Sequence, residues 1–249
     1  MIEEIDNIEL KYLTINDYQE LKSAMIESYS TMPDSYWKET HIQALIEKFP
    51  EGQVVLKVNN QLAGCALSIC VENSAYADHH NYKEITGNYT FSTHNEEGDM
   101  LYGIDVFIKP EYRGLRLGRR LYDYRKELCE RLNLRGIAFG GRIPNFYKFA
   151  DEIGPKEYIE KVKRKEIHDP VLSFQISNDF QPEKVLKGYL EGDEDSSEYA
   201  VLLKWDNIYF EKKTKKAANQ KKIIRLGLIQ WQMRLYKDFE ELMQQAYCR

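Results

Sequence analysis

The sequence predicts an α/β (α+β) fold in which a mixed sheet carries helices on both faces. Three observations predict it. Short strand-like runs alternate with helix-period stretches, one hairpin forms around Asn59-Asn60 and another closes the region after residue 180, and the apolar run Leu101 to Ile108 leads through a tight turn into an amphipathic helix.

Ile8 to Leu13 reads as a short strand. Thr14-Ile15-Asn16-Asp17 offers a helix start, and Tyr18, Leu21, Met25 and Tyr29 follow at helical spacing until Pro33-Asp34 breaks the pattern. A second helix is expected over about Ser35 to Lys48, with Trp37, Ile42, Leu45 and Ile46 inward. Gln53 to Val58 and Gln61 to Val71 form a hairpin across Asn59-Asn60. The polar, aromatic stretch from Asn73 to Met100 is longer than an ordinary connection, as functional loops often are. Leu101 to Ile108 is a buried strand, Leu117 to Leu132 an amphipathic helix, and Gly136 to Gly140 another strand. Pro155 to Arg164 reads as a helix and Pro170 to Asn178 as a shorter one. Phe180 to Tyr189 then pairs with Tyr199 to Trp205 across the acidic loop Glu191 to Glu198.

Residues 211–222 form a Lys-rich linker. Residues 223–249 read as one strand-like run and one amphipathic helix, expected to pack on the body where no second domain continues it. An orphaned strand in this tail would seek a partner, and a homodimer through the tail is one expectation.

The chain has 249 residues, 43% of them hydrophobic, enough for one sizeable core. A net charge of -5 gives no argument for nucleic acid. The acidic N-terminus is unlike a secretory signal, and no apolar run is long enough for a membrane span. Of the four cysteines, Cys65 and Cys70 sit five positions apart in one strand and face opposite sides. With no C-x-x-C pair, reduced thiols and a cytoplasmic setting are expected.

Tyr112-Arg113-Gly114-Leu115-Arg116-Leu117-Gly118-Arg119-Arg120-Leu121 joins the apolar strand to the amphipathic helix. The first turn of a helix has unpaired N–H groups and the positive end of the dipole, so it suits a phosphorylated ligand. Gly114 and Gly118 would let a ligand approach the backbone, and Arg113, Arg116 and Arg119 can donate to phosphate oxygens. A merely solvated Arg/Gly turn is the competing reading. The stretch is not a P-loop, and it lacks the dinucleotide-binding glycine spacing.

Pro110-Glu111-Tyr112-Arg113-Gly114 with Gly118 resembles the acetyl-coenzyme A signature, Arg/Gln-x-x-Gly-x-Gly/Ala, of the GNAT N-acetyltransferases. Arg116 stands where that signature has its first Gly. Asp78-His79-His80, Glu84 to Gly87, Thr93-His94, Leu101 to Val106 and Gly140 to Pro144 resemble one bacterial subfamily. In it a GNAT domain is fused to a C-terminal carbon-nitrogen (nitrilase-like) hydrolase. The resemblance implies a GNAT domain over residues 1–210, with a mixed, mostly antiparallel sheet, and the start of the hydrolase over 223–249. It implies an acetyl-CoA cosubstrate, an amine acceptor and no metal. The pantetheine arm would run along Val106, Phe107 and Ile108. The pyrophosphate would meet the backbone from Arg113 through Gly114, Leu115, Arg116, Leu117 and Gly118 to Arg119.

Asp105 is the strongest candidate base. Strict alternation puts it with Phe107, opposite Ile104, Val106 and Ile108, and a lone Asp in an apolar strand is costly unless partnered or used. A structural hydrogen bond to the nearby loop competes with that role. His79 and His80 are second candidates, as proton relays, as metal ligands with Asp78, His94 or Asp99, or as structural hydrogen-bonders. Many GNAT enzymes place a Tyr beside the leaving thiolate. Here Gln175 takes that place, and an amide is no proton source, so Tyr147 or Tyr102 is the candidate acid. Without such an acid, the domain would serve as an acyl-CoA sensor or scaffold for the hydrolase.

Overall fold

A computed structural model describes residues 5–32, 36–76 and 79–212. The readings placed on Pro33 to Ser35, on Asp78 and on residues 213–249, the tail and its proposed dimer included, lie outside the described residues.

Seven strands form one sheet: β1 (Ile8–Tyr12), β2 (Gln53–Val58), β3 (Gln61–Val71), β4 (Met100–Ile108), β5 (Gly136–Arg142), β6 (Gln181–Lys187) and β7 (Tyr199–Asp206). Their order is β1-β2-β3-β4-β5-β7-β6, and every pairing is antiparallel except β4 with β5. The β2–β3 hairpin turns at Asn59 and Asn60 with φ of 47° and 65°. Asn tolerates that left-handed backbone, and it matches the twist of the flanking strands.

Helices α1 (Tyr18–Ser28) and α2 (Glu39–Lys48) cover one face. They bury Tyr18, Leu21, Met25, Ile42 and Leu45 against Cys65, Leu67, Ile69, Tyr102 and Phe107 of the central strands. The short α3 (Tyr82–Ile85) caps itself through Asn81 and Glu84 within the long loop. On the other face lie α4 (Leu117–Arg131), α5 (Pro155–Lys163) and α6 (Leu172–Ser177). Each buried Leu or aromatic of these stripes contributes about 1.5–3 kcal/mol. Cys65 and Cys70 fall in cores on opposite faces, as period-two geometry requires.

Two details depart from sequence expectation. The second helix begins at Glu39, after Lys38 in extended backbone, so Trp37 lies outside it. Strand β4 also breaks strict alternation. Leu67 faces Asp105 while Ser68 faces Gly103, so Ile104 is an extra, bulged residue. Ile104 therefore joins Tyr102 and Phe107 in the core under α1 instead of siding with Val106.

Candidate active site

Strands β4 and β5 pair over only two residues, Leu101 with Ile137 and Tyr102 with Ala138. Beyond that point β4 stays bonded to β3 and β5 stays bonded to β7 as far as Arg142. The two strands therefore part, and a wedge opens in the middle of the sheet. A cavity of about 530 Å³ occupies it, bordered by Gly103 to Val106 on one side and Phe139 to Arg142 on the other.

One buried side chain props the wedge. Arg125 of α4 is 2% exposed. Its guanidinium donates to the Leu67 carbonyl at 2.7 Å, to Ser68 Oγ at 3.1 Å and to the Asp105 carbonyl. These groups lie at the bulge, where the ladder register slips. Gly103 gives the guanidinium room, since a Cβ there would lie 3.0 Å from its Nη1. Burial lowers the Arg125 pKa, which nearby Tyr122 and Asp105 oppose.

The bulge turns the Asp105 side chain towards α1. Tyr29 Oη donates to its Oδ1, and Trp37 Nε1 donates to Oδ2 at 3.1 Å. Burial raises the Asp105 pKa above the ordinary carboxylate value; the bonds from Tyr29 and Trp37, and the charge of Arg125, hold it back. The alternative of a structural hydrogen bond is met in kind, through two aromatic donors, of which Tyr29 follows α1 and Trp37 precedes α2.

Aromatic rings wall the cavity: Tyr29, Tyr36, Trp37, Tyr82, Tyr89 and Tyr189. Tyr82 Oη donates to the carbonyl of the bulged Ile104 at 2.8 Å, so the long loop is tied to β4. His41 also lines the cavity, edge-on to Trp37 and stacked on Tyr89. Its Nδ1 is buried without a hydrogen-bond partner among the described residues. Burial and then Lys38 lower its pKa, which favours the neutral imidazole. Arg142 reaches the rim but grips Asp193, through Nε at 2.7 Å and through Nη2.

The Arg/Gly turn lies at the far end of β4. Pro110–Tyr112 makes one 3-10 turn, Gly114 has φ +87°, and Arg116 caps α4 with φ 59°. Among the described residues, no backbone carbonyl accepts from the N–H groups of Gly114 to Gly118. These donors lie at the positive end of α4, an arrangement that suits an anion. Arg113, Arg116, Arg119 and Arg120 are all exposed, and Arg113 Nε returns to the Ile108 carbonyl at 3.2 Å. The two glycines serve different ends. Gly114 supplies the left-handed backbone, with open space around it. Gly118 is short of space, because a Cβ would lie 2.8 Å from the Phe174 ring.

The turn matters for identity, because a family model of described scope covers it. The acetyltransferase (GNAT) family model matches residues 18–149. The chain belongs to the GNAT acetyltransferase family. It is 39% identical over 211 residues to the "Probable hydrolase YhcX" of Bacillus subtilis, a match spanning 84% of this chain and 41% of that one. It is 34% identical over 176 residues to the "Uncharacterized N-acetyltransferase YkwB" of the same organism, spanning 71% and 77%. Thus the chain spans well under half the length of the hydrolase-named relative. Among solved structures, the loading GNATL domain of CurA from Lyngbya majuscula superposes with a TM-score of 0.71 at 22% identity, over 81% of this chain and 98% of that one. The GphF GNAT-like decarboxylase in complex with isobutyryl-CoA gives 0.65 at 16% identity, over 80% and 98%.

Within this GNAT domain, some residues singled out from sequence stand away from the cavity. His79 Nε2 lies 2.8 Å from the Lys187 carbonyl, at the surface. His80 is buried, with Nε2 2.8 Å from Tyr102 Oη, which lies 3.0 Å from Tyr189 Oη. Neither histidine lines the cavity, and both make hydrogen bonds of the structural kind. No group of three or more His, Cys, Asp or Glu side chains among the described residues is disposed to hold a metal. Tyr147 is 52% exposed and does not line the cavity; the one-turn helix Phe146–Lys148 aims Phe146, not Tyr147, into the core. Tyr102 is fully buried in the core, does not line the cavity, and has its pKa raised well above ordinary by burial. Of the predicted arm-binding strand, Val106 borders the cavity, while Phe107 and Ile108 pack into cores and continue towards the turn. The wedge begins earlier, at Gly103.

Sequence reasoning missed Trp37, Tyr29, His41 and Arg125 as site residues. Arg125 had a visible signal: it falls in the apolar stripe of α4 with Leu121 and Leu128.

Proposed function

We propose that this domain is an acetyl-CoA-dependent N-acetyltransferase acting on an amine. The observation that carries the reading is the run of β4 from a donor-rich turn, at Gly114 to Gly118, to a wedge with a buried carboxylate, Asp105. Asp105 to Ile108, where β4 ends, is three strand steps, roughly 10 Å at about 3.3 Å each, and the turn lies beyond that end. A ligand with its phosphates at one end and its reacting atom at the other end of a long arm suits that separation. A compact metabolite does not.

In this reading the pyrophosphate takes the free N–H groups of the turn, and the arm lies along the open edge of β4. The acceptor enters on the side of Tyr29, Trp37, Tyr82 and Tyr89. An alkyl amine with a pKa of about 10.4 is mostly protonated at neutral pH, so a base must free its lone pair. The nitrogen attacks the thioester carbonyl, the C–N bond forms and the C–S bond breaks. The ammonium's first proton leaves to solvent; Asp105 takes the second from the acylated nitrogen and returns it to the leaving thiolate, giving an amide and free CoA. Raising its pKa by burial brings Asp105 nearer that task. Tyr29 and Trp37 hold the carboxylate in place.

The test follows free thiol release from acetyl-CoA across a panel of primary amines, with Asp105→Asn beside the wild type. Acceptor-dependent thiol release that falls by roughly 10²–10⁴-fold in the variant is expected. Unchanged turnover in the variant would remove Asp105 as the base. One observation favours a second reading, an acyl-CoA-binding domain that regulates a fused carbon-nitrogen hydrolase: the position of the usual tyrosine holds Gln175, which has no proton to give. Binding of acetyl-CoA without turnover on any amine would select it.

A further inference from the structure

The part of the cavity around Asp105 is walled by rings whose polar tips are already engaged. Trp37, Tyr82 and Tyr89 pack on one another, with centroids 6.0 Å apart for Trp37 and Tyr82, 5.9 Å for Trp37 and Tyr89, and 6.3 Å for Tyr82 and Tyr89. Tyr29 and Tyr36 line the cavity with them. Tyr29 Oη and Trp37 Nε1 donate to Asp105, and Tyr82 Oη donates to the Ile104 carbonyl. What these three side chains leave for a ligand is ring surface. The face of an aromatic ring is electrically negative and attracts a cation within about 6 Å of its centroid. Tyr36 shows the same attraction inside the chain, with Lys22 Nζ 4.5 Å from its ring centroid.

The charges around the cavity favour the same kind of ligand. Asp105 is the carboxylate set among these rings. Of the cations that line the cavity, Arg125 gives its donors to the Leu67 carbonyl, Ser68 Oγ and the Asp105 carbonyl, Arg142 grips Asp193, and Lys38 is exposed. An amine brought to Asp105 meets a carboxylate and ring faces. A carboxylate on the carbon that bears the amine would be carried to the same place, where it would face Asp105 with both guanidinium groups already engaged. Like charges at that range repel, most of all away from water. The cavity of about 530 Å³ must also hold the thioester, which leaves room for a slender acceptor.

We infer that the acceptor is a primary ammonium on an apolar stem, with no carboxylate on the carbon that bears it, and that Trp37, Tyr82 and Tyr89 form the box that receives it beside Asp105. The inference rests on the acetyltransferase reading above and narrows its acceptor. Free alkylamines and the side chain of lysine share this chemistry. α-Amino acids do not. The box holds the charged form of the amine, which loses its proton only for attack.

Thiol release from acetyl-CoA by the full chain tests it with n-pentylamine, with norleucine, which is the same amine carrying a carboxylate beside the nitrogen, and with Nα-acetyl-lysine methylamide. A kcat/KM for n-pentylamine or for the lysine derivative about tenfold or more above that for norleucine is expected, and the better of the two names the source of the ammonium. Norleucine equal to both would overturn the inference. Tyr89→Leu removes a ring face and should raise KM for the amine about tenfold while leaving KM for acetyl-CoA unchanged, and Tyr89→Phe should restore it. An unchanged amine KM in a folded Tyr89→Leu variant would overturn the inference. Calorimetry with CoA present separates the box from the chemistry, and it decides alone where Tyr89→Leu does not fold. The wild type should bind n-pentylamine about tenfold more tightly than the uncharged pentanol. Equal affinity for the two, or none for either, would overturn the box. Binding of n-pentylamine without thiol release would support the box and sink the acetyltransferase reading instead.

Discussion

Asp105 is where chemistry and structure meet most closely. A carboxyl with a raised pKa is ionised only at higher pH, so a base role predicts a rate that rises with pH. The limb should lie above the ordinary Asp value of about 3.9, because burial is the leading cause of the shift. A pH profile of thiol release checks this, and a profile flat from acid to neutral pH would contradict it. The sequence showed Asp105 as an oddity in an apolar strand but not its partners, because Tyr29 and Trp37 lie far away along the chain. Arg116 carries a second residue-scale prediction. It holds φ 59° at the N-cap of α4, a backbone that costs an L-residue about 1–2 kcal/mol. Arg116→Gly should therefore raise stability by about 0.5–1 kcal/mol in urea unfolding. A loss of stability would show that the Arg116 side chain contributes more than its backbone costs. The residue that departs from the family signature thus keeps the conformation a glycine would adopt.

At the scale of elements, the decisive device is the bulge in β4. It puts Ile104 and Asp105 on one face, parts β4 from β5 and leaves backbone groups for Arg125. Hydrophobic periodicity read the strands and the long helices well, because it records which face is buried. It could not show the bulge, since one inserted residue changes pairing without changing composition. Nor could it explain Arg125, because a lone arginine on a helix is ordinarily solvated, and only the carbonyls at the bulge account for its burial. Arg125→Met should leave those acceptors unpaired and cost about 2–4 kcal/mol by urea unfolding. A change below about 1 kcal/mol would mean that the bulge does not depend on it. Tyr147 illustrates the reverse error. Sequence placed it near the chemistry on residue type alone, yet the turn after β5 directs its ring to solvent.

At the scale of the molecule, residues up to Glu211 form one compact unit with a single sheet. No helix among the described residues is long and apolar enough to cross a membrane. The mixed sheet with helices on both faces was legible from the order of elements, and the family from a handful of strings around the turn and the central strands. The shape of the cavity was not, because it is built from seven separated stretches that only the fold brings together: Tyr29 and Met32 with Tyr36 to His41, Tyr82 and Tyr89, β4, Arg125, β5, Val171 and Gln175, and Tyr189 to Glu191. The central claim is that one strand joins a phosphate cradle to a reaction cavity. A crystal structure with CoA bound tests it most directly. The account predicts pyrophosphate oxygens at about 2.7–3.2 Å from backbone N–H groups between Gly114 and Gly118, with the arm in the β4–β5 wedge and the sulfur facing Asp105. Pyrophosphate bound elsewhere, or an arm lying outside the wedge, would contradict it.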